Sequence, residues 1–102
     1  MICLEKPRIF HSKFDVVSCF IEYSGEILLL HRQDHKPEGN TWGVPAGKVD
    51  GCEQIQETIV REIREETGFA IPLSHIKYFG KVYVKYPEYD FIYHIFNSCL
   101  DK

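Results

Sequence analysis

Apolar residues recur along this chain with two different periods, and the change of period divides it. From Phe14 to Tyr23 the residues Val16, Val17, Phe20 and Ile21 mark a segment rich in β-branched and aromatic side chains, which predicts a strand. Ser24-Gly25-Glu26 supplies a turn, and Ile27 to His31 predicts a second strand, so that the two form a hairpin. The unbroken run Ile27-Leu28-Leu29-Leu30 predicts burial on both faces. Arg32 to Asn40 is a polar loop broken by Pro37 and Gly39, and Thr41 to Pro45 is a short extended piece.

The period then lengthens. Ile55, Ile59, Val60 and Ile63 recur at helical spacing and predict one helix from about Glu53 to Thr67. Asp50-Gly51 forms a turn before it, and Gly68 follows the last periodic residue, where it can adopt the left-handed cap conformation. Ala70 to Leu73, with Pro72, is a connector, and Ser74 to Val84 returns to a strand pattern. Lys85 to Asp90 is a turn, Phe91 to Phe96 a last strand and Asn97 to Lys102 a short tail. Met1 to Lys13, mixed and containing Pro7, predicts a loosely ordered arm. Strands around one central helix give an α+β class, with residues 1–102 as a single domain.

The helix carries the candidate chemistry. Glu62, Glu65 and Glu66 stand at i, i+3 and i+4, so they project from one side. Like charges packed this closely repel by a few tenths of a kcal/mol per pair, a cost that a purely structural helix avoids by inserting Lys. Three carboxylates instead offer hard oxygen ligands to Mg²⁺ or Mn²⁺. At 100° per residue the acids lie beside the apolar stripe, so the helix buries one flank and presents the acids at the margin of the core.

Composition narrows the classes. The chain has 102 residues, 44% hydrophobic and 26% charged, as expected of an ordinary folded domain. A net charge of −3 argues against a nucleic-acid-coating role, which needs a basic stripe. No stretch approaches the length of a membrane span, so the expectation is a cytoplasmic protein with no membrane partner. Cys3, Cys19, Cys52 and Cys99 are scattered without a C-x-x-C pair, which favours reduced structural thiols over zinc or disulfides. His31 and His35 are four apart, but the loop signals around them argue against a helical ligand pair.

Gly47, five residues, Glu53, seven residues, then Arg61-Glu62-Ile63-Arg64-Glu65-Glu66-Thr67-Gly68-Phe69 resembles the Nudix box, G-x5-E-x7-R-E-U-x-E-E-x-G-U with U apolar. All seven fixed positions and both apolar ones are filled, and Trp42 to Gly47 resembles the segment that leads into the box, with Ala46 where Gly is common. The resemblance implies a mixed β-sheet packed on the box helix. It also implies further strands and a second helix that Asn97 to Lys102 cannot supply, so a C-terminally shortened fold is expected, completed by a partner copy in a homodimer or left as a fragment.

In function the resemblance implies hydrolysis of a phosphoanhydride bond in a nucleoside diphosphate linked to another moiety, a small-molecule substrate, with Mg²⁺ or Mn²⁺ as cofactor. Glu62, Glu65 and Glu66 match the family's metal-binding positions, with the Gly47 carbonyl as a further ligand. Arg61 matches a position that orients the carboxylates, and Glu53 either binds metal through a water or pairs near Arg61. The general base is Glu66 or Glu65, with Glu88 as the outside candidate. From their positions, Arg32 and Lys48 are candidates to contact phosphate oxygens. Trp42, Tyr83, Tyr86 and Tyr89 are candidates to stack a base. The alternative is a nucleotide-binding module, or an inactive fragment, without turnover.

Overall fold

The computed structural model describes residues 1–31 and 42–100. In chain order these form β1 (Ile2–Cys3), β2 (Ser12–Tyr23), β3 (Glu26–Ile27), β4 (Leu30–His31), β5 (Trp42–Gly43), β6 (Ala46–Lys48), the helix α1 (Ile55–Thr67), a 3-10 turn (Leu73–His75), β7 (Lys77–Lys85) and β8 (Asp90–Cys99). The main sheet runs β1-β7-β8-β2-β3, and β6 also pairs with β2. It is mixed: β2 and β8 are parallel, whereas β7 with β8, β6 with β2 and β3 with β2 are antiparallel. The parallel pair cannot be closed by a turn, so the chain between β2 and β8 has room to cross over and pack a helix on the sheet.

Alternation along β2 fixes which face the helix covers. Val17, Cys19 and Ile21 are buried and join Ile59 and Ile63 of α1, with Ile71, Ile76 and Phe96, in one core cluster. Ile59 and Ile63 are fully buried, which is worth about 1.5–3 kcal/mol each. Ile55 and Val60 pack against the cluster half-buried, so the whole predicted stripe faces the sheet. The helix stops where expected: Gly68 has φ 84° and its N–H donates to the Arg64 carbonyl at 2.9 Å. Its start is later than the pattern suggested, with Gln54 as the N-cap and Glu57 accepting the Gln54 N–H at 2.9 Å.

Four expectations need correction. The first thirteen residues are not all a loose arm: Ile2 and Cys3 pair with Val84 and Tyr83, and β2 begins at Ser12. Their partners lie some eighty residues away, beyond the reach of any local pattern. The Ile27–Leu30 run is not buried on both faces, since Ile27 is 43% and Leu29 49% exposed. Here β3 is a two-residue edge strand, and Leu30–His31 leaves it to pair with Trp42–Gly43. The strand Ala46–Lys48 has no β-branched residue to announce it, and is formed by pairing with β2. The last strand continues past Phe96 because Asn97, Ser98 and Cys99 pair with Phe20, Ile21 and Glu22. Among the described residues no helix is long and apolar enough to cross a membrane. No disulfide joins the four cysteines, and burial pushes the Cys19 thiol up to about 11.

Candidate functional site

The site forms where β6 meets the flank of α1. Gly47 pairs with Val17 of β2, whose side chain joins the core under the helix. A Cβ at Gly47 would run into the Glu62 carboxyl group, so only glycine lets that carboxylate lie against the strand. One residue earlier, the Ala46 N–H donates to Glu66 Oε1 at 3.0 Å. Two acids from the last turns of α1 thus close on consecutive residues of β6.

Arg61 organises the other acids. Its Nε and Nη2 donate to the two oxygens of Glu53 at 2.8 and 3.0 Å, the fork geometry that guanidinium and carboxylate favour. Its Nη1 donates to Glu62 at 2.9 Å and to Glu65 at 3.2 Å, and Nη2 lies 3.5 Å from Asp50. Glu53 Oε1 also accepts from Thr58 Oγ1 at 2.9 Å and from the Asp50 N–H at 3.3 Å. These partners, the Arg61 hydrogen bond above all, hold the Glu53 carboxyl down to about 2. The Arg61 guanidinium is shifted upward in return.

Glu62 goes the other way. Its side chain is only 13% exposed, and burial, followed by the Glu66 charge, pushes its carboxyl above the ordinary range despite Arg61. The flank therefore holds one acid with ample compensation and one short of it.

Among the described residues no three acidic, histidine or cysteine side chains close on a single point as they stand. Between Glu62 and Glu65 the bridging cation is Arg61 Nη1. The donor chemistry nonetheless suits a hard divalent ion: three carboxylates and the Gly47 carbonyl, all oxygen, beside a glutamate whose charge burial opposes.

The NUDIX domain family matches residues 12–101. The chain belongs to this family. It is 36% identical over 62 residues to the uncharacterized Nudix hydrolase YvcI of Bacillus subtilis, a match covering 61% of this chain and 37% of that protein. It is 39% identical over 54 residues to the CTP pyrophosphohydrolase of Escherichia coli, covering 53% of this chain and 40% of that one. The chain thus spans less than half the length of these curated relatives. Among solved structures it resembles the MutT protein of Methanosarcina mazei, with a TM-score of 0.72 at 28% identity, covering 85% of this chain and 64% of that one. A curled mixed sheet on one helix is the shared Nudix architecture.

Within the Nudix box, the structure brings together Gly47, Glu53, Arg61, Glu62, Glu65 and Glu66. Arg32 and His35 lie outside the described residues. Lys48 extends over the Phe14 ring, with its Nζ 4.4 Å from the centroid. Glu88 is exposed in the turn between β7 and β8. Trp42 packs on His31 at 4.8 Å, Tyr83 edge-on against Phe10, and Tyr86 and Tyr89 against Phe91, so each aromatic candidate already has a protein neighbour. The box pattern does not contain Thr58, which is fully buried and tethers Glu53. Its one signal is a hydroxyl set between Ile55 and Ile59 on the core side of the helix.

Proposed function

We propose that the site hydrolyses a phosphoanhydride bond in a nucleoside diphosphate linked to another group, with Mg²⁺ or Mn²⁺ held by Glu62, Glu65, Glu66 and the Gly47 carbonyl. The observation that carries this reading is the convergence of Glu62 and Glu66 on the Gly47–Ala46 edge, where glycine leaves room for the Glu62 carboxyl group and burial opposes its charge. Clustered acids repel an acidic substrate, so an anhydride approaches this edge only with cations between them. Such an ion supplies charge neutralisation at the phosphate oxygens and acidifies a water.

The remaining work belongs to the chain. Arg61 and Glu53 form a clamp that sets the direction in which Glu62 and Glu65 point, and Thr58 fixes Glu53 from the core side. Arg61 is a positioning residue in this scheme. Glu66 or Glu65 takes the proton of the attacking water. The CTP pyrophosphohydrolase named among the relatives acts on a substrate of this general class, which supports a nucleotide here.

The test is Glu65→Gln, assayed with Mg²⁺ on a panel of nucleoside triphosphates, sugar nucleotides and dinucleoside polyphosphates. Turnover by the parent chain and its loss in the variant, with unchanged circular dichroism, is the expected result. Equal rates in the two proteins would remove the assignment.

A further inference from the structure

One face of the sheet is covered by α1, and the other carries no α-helix among the described residues. Side chains alternate along a strand, so Val17, Cys19 and Ile21 of β2 lie under the helix and Val16, Phe20 and Glu22 stand on the open face. The register extends that face across β8 and β7. Its middle is apolar: Val16, Tyr93 and Val82 form one row, Ile95 follows on β8, and all four are only half-buried. Nearer one end, Phe20, Asn97 and Lys77 form a row across the same three strands, and Phe20 is 42% exposed. Glu22 stands two residues beyond Phe20 on β2.

The total surface shows how much is left to cover. A folded chain of 12.0 kDa exposes about 6,000 Å² when it buries its own apolar faces, whereas this one exposes 7221 Å². The surplus, about 1,200 Å², exceeds the ~800 Å² that each partner contributes to a standard interface.

We infer that the open face is an interface with a second copy of this chain, related by a two-fold axis that runs along β8. Charge selects both the partner and the axis. Glu22 on β2 and Lys77 on β7 flank β8 from opposite sides, and neither makes a side-chain hydrogen bond or ion pair among the described residues. Two strand spacings, about 10 Å, keep them apart within one chain. A two-fold axis along β8 lays β7 of each copy over β2 of the other at the usual ~10 Å between packed sheets. Each Glu22 then meets the Lys77 of the second copy, and the pair forms twice. Tyr93 and Ile95, on the axis, pack against their own counterparts. An unrelated partner would have to supply an acid and a base at this spacing, whereas a second copy has them by symmetry. An axis across the strands would instead bring Glu22 towards Lys48, whose ammonium already rests on the Phe14 ring, and would strand Lys77.

The experiment is analytical ultracentrifugation of the chain and four variants from roughly 1 to 100 μM. The parent is expected at twice its 12.0 kDa mass. Glu22→Lys and Lys77→Glu should each weaken the dimer roughly tenfold or more, because both cross-copy contacts then join like charges. Combining the two reversals should restore the dissociation constant to within about threefold of the parent's. Tyr93→Lys sets like charges face to face on the axis and should leave a folded monomer at every concentration, with circular dichroism unchanged. Should that variant fail to fold, the charge variants decide alone, since both positions are exposed. A parent chain that stays monomeric, single reversals that leave the dimer intact, or a combined variant no tighter than the single ones would overturn the inference.

Discussion

Glu53, just before α1, and Glu62, within it, hold the same side chain under opposite conditions. Glu53 receives two guanidinium hydrogen bonds, a threonine hydroxyl and a backbone N–H. Glu62 lies against a strand with a share of one guanidinium N–H and with Glu66 for a neighbour. The first arrangement favours the ionised acid and the second opposes it. The difference separates two conditions within one motif: Glu53 locks Arg61 in an ionised pair, and Glu62 is held where burial opposes its charge.

The sharpest way to break this contrast is to neutralise each acid in turn. Glu62→Gln should lower kcat by about a thousandfold or more while the fold persists, and the rise in melting temperature on adding Mg²⁺ should vanish. A wild-type rate in that variant would place the metal elsewhere. Gly47→Ala should come next, at about a hundredfold in kcat, because the new methyl displaces the Glu62 carboxyl. Rescue of its activity by excess Mn²⁺ is expected if the ion site is only loosened. Glu53→Gln should cost about tenfold in kcat with little change in KM, because Arg61 is released but no ligand is removed.

The same variant sharpens the comparison by pH. Glu53 has a depressed carboxyl, so the stability it adds is present above pH 4.5 and disappears as pH falls towards about 2. Acid unfolding of Glu53→Gln should therefore be flatter across that window than that of the parent. The smallest effect belongs to Asp50→Asn: its side chain is 76% exposed at 3.5 Å from Arg61, and stability should change by less than about 0.5 kcal/mol.

Much of this was legible before any fold was known. Ile55, Ile59, Val60 and Ile63 announced a helix and its buried flank, and Gly68 its end, because helical periodicity and left-handed caps are local properties of the chain. The acids were legible for the same reason, since i, i+3 and i+4 spacing alone puts them on one side. The Ile27–Leu30 run misled because apolar content cannot distinguish an edge strand from a central one. Thr58 was silent because a buried hydroxyl in a helix takes its meaning from what it touches.

The sequence by itself determined the helix, its stripe, its acids and the glycine that must precede them. Only the tertiary structure decided that Gly47 sits on a strand facing Glu62, that Glu53 and not Glu62 takes the Nε–Nη2 fork of Arg61, and that Lys77, Asn97 and Phe20 form one row. The reason is distance along the chain. Spacing within a helix follows from its geometry, whereas the pairing of β6, β7 and β8 around β2 brings together residues whose adjacency no local pattern records.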